Sequence, residues 1–209
     1  LEDITYRAIS VLSEVDIIAC EDTRITRRLL SRYSIKNQLI TYNAINEQKM
    51  TKVLVQKLKN EKNIALVSDA GTPCISDPGY RLVNESLIKG INVLSIPGPS
   101  SVQSAMSISG LPSDNFFFQG FLPKKKGRMT KMEQLREYDC TIIIFESPKR
   151  VKKTLNDIHH YFGDRVISVC KEISKIYEKV FLDRVSKIIE LFESKKLKGE
   201  YVILIAKKK

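Results

Sequence analysis

At 209 residues, with 43% hydrophobic and 8% aromatic residues, the chain can bury one large core or two compact ones and is too apolar to be disordered. No apolar run approaches the ~20 residues of a membrane span and no signal-peptide pattern opens the chain, so a cytoplasmic protein without a membrane partner is expected. The net charge of +11 is lopsided: residues 1–120 hold 13 Lys and Arg against 12 Asp and Glu, whereas residues 121–209 hold 22 against 12. That asymmetry points to a polyanion met mainly through the second half, although the terminal Lys207, Lys208 and Lys209 also read as a solubilising tail. Cys20, Cys74, Cys140 and Cys170 lack metal-ligand spacing and His159 and His160 are adjacent, so reduced thiols and no metal site are expected.

In chain order, Ile4, Ala8, Val11, Leu12 and Val15 follow helical spacing, with Asp3 or Thr5 as cap. Residues 16–20 read as a buried strand, 24–33 as a helix and 38–42 as a strand. Met50, Val53, Leu54 and Leu58 mark the next helix, and residues 64–67 a strand. After the loop 68–77, Pro78 stands where a helix begins, with Asp77 as its expected cap. A strand over 93–96 and a helix ending at Gly110 follow. This alternation predicts a mainly parallel sheet covered on both faces, with ligands at the carboxyl ends of its strands. Beyond residue 112 the texture changes. Strands are expected over 116–121, 140–145, 166–170, 180–182 and 201–206, with helices on Val151, Leu155, Ile158 and Phe162 and on Val185, Ile188, Ile189 and Phe192. The expectation is an α/β protein of two domains, residues 1–112 and 113–209, the second with a mixed sheet.

Five stretches carry possible chemistry. In 68–79 (SDAGTPCISDPG), Gly71 permits close backbone approach while Pro73 and Pro78 hold the loop's shape. It matches neither a Walker A nor a Rossmann fingerprint, and taken singly a Gly/Pro loop after a strand is more often structural than catalytic. In 96–101 (IPGPSS), Ser100 and Ser101 stand where they serve either a ligand or a helix cap. In 21–24 (EDTR), Arg24 continues with Arg27, Arg28 and Arg32 into a basic helical face, which suits phosphates or plain solvation. Glu146, Lys149 and Arg150 (ESPKR) place a carboxylate and two cations at a strand end, where a helix cap with surface charge is the alternative. Lys124, Lys125, Lys126 and Arg128 form a basic loop beside aromatics, suited to an RNA backbone or to a solvated turn.

Together and in this order, LEDITYRA, ACEDTR, LVSDAGTPCISDPGY, IPGPSS, GLPSDNFFFQGFLPKKKGR, FESPKR and GEYVI resemble the bacterial 16S ribosomal RNA cytidine 2′-O-methyltransferases, within the tetrapyrrole (corrin/porphyrin) methylase superfamily. The resemblance runs from Leu1 to about Ala206. It implies a tetrapyrrole-methylase-like two-domain fold with the cofactor cleft between the domains, and a homodimer. It further implies S-adenosylmethionine as methyl donor and a cytidine in the small-subunit decoding region as acceptor. Carried over, the cofactor loop falls on Asp69, Ala70, Gly71, Thr72, Pro73 and Ile75, and a second wall on Pro99, Ser100 and Ser101. Phe145, Glu146 and Ser147 are a further expected contribution. RNA contacts are expected at Arg24, Arg27, Arg28, Lys124, Lys125, Lys126, Arg128, Lys149 and Arg150. The strand-end carboxylates Glu21, Asp22, Asp77 and Glu146 are candidate proton acceptors, with Glu146 favoured.

Two departures from the family pattern stand out. Position 74 is Cys74 where glycine is usual. Members also begin with a short strand and a Gly/Pro loop ahead of LEDIT that line the cofactor cleft; this chain lacks both, so weak cofactor binding by the chain as given is expected. The rival acceptors are a corrin precursor or a protein side chain; the rival class is a non-catalytic RNA-binding or assembly factor.

Overall fold

A computed structural model describes residues 2–208; Leu1, in the opening motif, and Lys209, in the terminal lysines, lie outside the described residues. The chain divides into two compact units, one ending at Ser100 and the other beginning at Ser101. The sequence reading put the junction near residue 112. The difference is one helix, Ser101–Ile108, whose Val102, Ala105 and Met106 pack on Ile143, Cys170, Val202 and Leu204 of the second unit.

In the first unit, helix α1 (Tyr6–Glu14) leads to strand β1 (Ile17–Cys20), helix α2 (Thr23–Arg32), strand β2 (Gln38–Thr41), helix α3 (Glu47–Lys59), strand β3 (Ile64–Val67) and helix α4 (Tyr80–Ile88). The strands form a parallel sheet in the order β2-β1-β3. The central strand β1 is buried on both faces because successive side chains point to opposite sides. Ile18 packs with Leu12 and Leu30 on the α1/α2 face, while Ala19 packs with Leu54, Val55 and Leu82 on the α3/α4 face. Thr5 caps α1, its hydroxyl accepting from the amide of Ala8 at 3.1 Å.

Two expectations for this unit are corrected. Residues 93–96 join no strand ladder in the described structure, and Leu94 is 75% exposed, so an apolar run alone did not secure a partner strand. Helix α4 starts two residues later than Asp77 would cap it. Gly79, at φ 145°, is its N-cap, with no side-chain cap bond, and its amide donates to Glu47 Oε1 at 3.2 Å instead.

The second unit starts with helix α5 (Ser101–Ile108). It continues as strand β4 (Phe116–Phe121), helix α6 (Arg128–Arg136), strand β5 (Thr141–Glu146), helix α7 (Val151–Phe162), strands β6 (Val166–Lys171) and β7 (Lys179–Arg184), helix α8 (Val185–Glu193) and strand β8 (Tyr201–Ile205). The sheet order is β4-β5-β8-β6-β7. Its β4 and β5 pair is parallel and the other pairs are antiparallel, giving the mixed sheet expected. One face is covered by α6, α7 and α8 through Met132, Leu155, Ile158, Ile188 and Phe192; the other is covered by α5. Helix α6 was not foreseen, because its exposed Met129 and its charged residues blur the apolar period.

A side chain at Gly79 would place its Cβ 2.5 Å from Cys74 Sγ and 2.8 Å from Leu66 Cδ2. Gly79→Ala is therefore expected to destabilise the protein by about 1–3 kcal/mol. Part of that loss should be recovered in a Cys74→Gly background, which removes the clashing thiol. Urea unfolding of the two single variants and the double variant measures the coupling, and strict additivity would contradict the contact.

Candidate functional site

The parallel register sets the site. Cys20 lies opposite Thr41 on one side and Val67 on the other, so the segments leaving β1 and β3 emerge side by side at the carboxyl edge of the sheet. There the amide of Asp22 donates to Asp69 Oδ1 at 3.1 Å, and the amide of Asp69 donates to Glu21 Oε1 at 3.1 Å. These reciprocal bonds hold the two loops together and gather acidic side chains. Burial, and then the negative charges of Glu21 and Asp69, push the Asp77 carboxyl up to about 6. Asp22 behaves oppositely. The Arg24 guanidinium grips both its oxygens, at 3.0 Å from Nε and 2.6 Å from Nη2, and with the Arg24 amide holds its carboxyl down at about 2.

The loop after β3 is tightly curled. Gly71, Cys74, Ser76 and Gly79 all have positive φ, at 74°, 71°, 67° and 145°. The left-handed conformation at Cys74 is one that glycine adopts without cost, which gives a physical reason for the glycine usual at that position; the cysteine here carries the cost. Ser68 Oγ lies within bonding distance of the carbonyls of Ala70 (3.2 Å) and Gly71 (3.3 Å). The Thr72 hydroxyl donates to the carbonyl of Pro99 at 3.0 Å, and the Thr5 hydroxyl donates to that of Pro97 at 3.2 Å. The two Gly/Pro stretches singled out from the sequence thus meet in the first unit. Asp69, Ala70, Gly71 and Ile75 are exposed, with Thr72 and Pro73 half-buried. Pro99 and Ser100 close the first unit, whereas Ser101 opens α5 in the second.

The ESPKR and basic-loop residues behave differently from one another. Glu146 is buried at the end of β5, where it accepts from the Ser147 amide at 2.8 Å and the Thr154 hydroxyl at 2.6 Å and pairs with Arg150 at 3.1 Å. Three of its acceptor positions are taken, so the geometry gives this carboxylate a fold-holding role instead of that of a proton acceptor open to substrate. Arg128 is likewise interior. It binds Asp157 at 2.7 Å, the Thr154 hydroxyl at 2.8 Å and the Pro123 carbonyl at 3.2 Å, which pins the loop carrying Lys124, Lys125 and Lys126. Those three lysines are exposed, as is Lys149, while Arg150 turns inward to the Leu122 carbonyl at 2.6 Å. On α2, Arg27 and Arg28 are exposed and Arg24 is held by Asp22. Sequence reasoning missed Glu47, Thr154 and Asp157. Each is an ordinary helical residue until the fold supplies its partner. Among the described residues, no group of His, Cys, Asp or Glu is arranged to hold a metal ion.

The architecture is shared by solved structures. A diphthine synthase matches with a TM-score of 0.74 at 15% identity, over 98% of this chain and 85% of that one. A cobalt precorrin-4 methyltransferase of cobalamin biosynthesis matches at 0.67 and 16%, over 98% and 89%. Residues 1–189 match the family model of the tetrapyrrole (corrin/porphyrin) methylases. In Thermotoga maritima, the ribosomal RNA small subunit methyltransferase I is 45% identical over 208 residues, covering 100% of this chain and 94% of that protein. The namesake protein of Halalkalibacterium halodurans is 42% identical over 206 residues, covering 98% and 71%. The chain is a methyltransferase that belongs to the tetrapyrrole methylases and, within them, to the family of these ribosomal RNA small subunit methyltransferase I proteins.

Two substitutions test the site's electrostatics. Because the folded state raises the Asp77 carboxyl above its ordinary 3.8, the stability it contributes is fully present below about pH 4 and is lost as pH rises through about 6. Asp77→Asn should therefore melt above the parent protein at pH 7–8 and converge with it below pH 4. A constant difference across that range would contradict the assignment. Glu146→Gln should cost about 3 kcal/mol by leaving Arg150 in a half-buried setting without its carboxylate. Chemical denaturation reads this directly, and an unchanged midpoint would show the network to be dispensable.

Proposed function

We propose that the chain transfers a methyl group from S-adenosylmethionine to the ribose 2′-oxygen of a cytidine in 16S ribosomal RNA, in the decoding region of the small subunit. On this reading it works in the cytoplasm as a homodimer. The observation that carries the reading is the joined pair of loops at the carboxyl edge of the first sheet, held by the Thr72–Pro99 bond beside Glu21, Asp69 and Asp77.

The residues present suit that donor. S-adenosylmethionine carries a cationic sulfonium and an ammonium, which exposed carboxylates attract. Its polar groups need backbone partners that a small-residue loop leaves accessible. A Cβ built on Gly71 would lie in ordinary contact, 3.9 Å from the Pro99 carbonyl, so it is the φ of 74°, not crowding, that favours glycine where the two loops face each other. Asp69 and the backbone of residues 70–73 and 75 would hold the cofactor, with Pro99 and Ser100 as the facing wall. When bound, it supplies an electrophilic methyl group already activated by positive charge. The protein's part is then largely orientation. Asp77 supplies negative charge once ionised, so cofactor affinity should rise as pH climbs through about 6. The exposed Lys124, Lys125 and Lys126 on their pinned loop, with Lys149, Arg27 and Arg28, offer cations to RNA phosphates. The names of the relatives favour ribosomal RNA over a corrin or protein acceptor, as does the +10 net charge of residues 121–209.

The reading is tested by incubating the protein with labelled S-adenosylmethionine and undermodified 30S particles, then mapping the label. The expected product is one 2′-O-methylated cytidine in 16S RNA; label on a base or on a ribosomal protein would overturn the proposed acceptor. Gly71→Val forces a β-branched residue to φ near 74° and should weaken cofactor binding at least ~10-fold by calorimetry.

A further inference from the structure

Residues 1–100 are close to neutral, with 13 Lys and Arg against 11 Asp and Glu, but their cations are not evenly spread. A groove of about 410 Å³ runs between α3 and α4, and Lys52, Lys59, Arg81 and Lys89 line it against the single carboxylate Glu85. Each helix follows a strand of the same parallel sheet, so the two run in the same direction. Lys52 and Lys59 are two turns apart on one wall, about 10 Å by helical rise, and Arg81 and Lys89 span a similar length on the other. Two of these four cations are unpaired among the described residues. Arg81 approaches Glu47 at 3.4 Å and Lys89 approaches Glu85 at 4.0 Å, whereas Lys52 and Lys59 make no ion pair among the described residues. At the start of α4 the ring of Tyr80 stands 69% exposed on the rim.

From this arrangement we infer that the α3–α4 groove binds the phosphate backbone of an RNA strand, as a second RNA contact on the first unit, separate from the Lys124–Lys126 loop. The inference rests on the RNA-methylating reading and extends it. Two rows of cations spread over about 10 Å suit an extended polyanion, since a single phosphate would need donors converging on one point. An exposed tyrosine beside such rows is a platform on which an unpaired base stacks. Net neutrality of the surrounding unit makes the groove a local attractor, not part of a general positive field.

The test is fluorescence anisotropy with a labelled single-stranded RNA, titrated at several salt concentrations between about 50 and 200 mM. Lys52→Gln/Lys59→Gln should weaken binding and lower the slope of log K against log salt by about 1.4, two lost phosphate contacts at ~0.7 each. Lys52→Arg/Lys59→Arg should keep the parent slope. Tyr80→Ala should weaken binding by about 5- to 150-fold with the slope unchanged. The exposed Lys36→Gln serves as control and should leave both quantities as they were. All variants change exposed positions, and unchanged thermal melts show that losses are not unfolding. An unaltered slope in the Lys52→Gln/Lys59→Gln variant, with parent RNA binding intact, overturns the groove and leaves the methyltransferase reading standing. Complete competition by millimolar inorganic phosphate would reduce the groove to a single-anion site and likewise overturn the strand inference. Failure of the unmodified protein to bind any RNA would instead defeat the functional reading itself.

Discussion

The loop between β3 and α4 depends on four residues held in the left-handed half of conformational space. L-residues enter that region only at a cost, yet two of the four, Cys74 and Ser76, are not glycine. What holds them there is the surrounding bonding. Ser68 closes the first turn over Ala70 and Gly71, Thr72 ties the loop to Pro99, and the Gly79 amide is satisfied by Glu47 from a different helix. The curl lets α4 begin hard against Leu66 and Cys74, where no Cβ has room, and it delivers Asp77 to the neighbourhood of Glu21 and Asp69. Uncurling the loop would separate the Gly/Pro stretches and disperse the acidic side chains together.

The second unit solves a different problem with a different device. Its basic loop must hold like charges at three successive positions, which repel. Arg128 anchors the base of that loop by turning inward to Asp157, Thr154 and the Pro123 carbonyl. Thr154 passes the connection to Glu146, and Glu146 to Arg150, which returns to Leu122 at the end of β4. A fully partnered polar network in a low-dielectric interior is rigid because each group left alone would carry its whole desolvation cost. The charges that stay outside are therefore those without such partners: Lys124, Lys125, Lys126 and Lys149. In the run KKKGR the fold keeps the arginine for itself and leaves the three lysines outside.

The periodicity of apolar residues was enough to place α1 to α3, α7, α8 and nearly all the strands, because amphipathic patterning is a local property, while Pro78 marked α4 and the stretch 97–101 with Gly110 marked α5. The mixed character of the second sheet was legible in the same way. So were the two Gly/Pro stretches and, through the combined motifs, the methyltransferase family. Residues 93–96 show the limit: their apolar run reads as a strand, but a ladder needs a partner that sequence cannot position. Helix α6 shows the converse, with Met132 and Leu135 becoming core only because α7 lies beneath them. The roles of charged residues were decided by tertiary structure alone. Whether a carboxylate is a free acceptor, a cap or a buried partner depends on groups distant in sequence. Asp22 and Asp77 share a residue type and a sheet edge, but one faces Arg24 and the other faces Glu21 and Asp69, which moves their carboxyls in opposite directions. The sequence determined which elements form and which family they belong to, because both are written in local pattern. Only the tertiary structure decided which charges work at the surface and which hold the fold, because solvation and partners are set by residues 26 to 48 positions away, as Arg128–Thr154 and Glu21–Asp69 are.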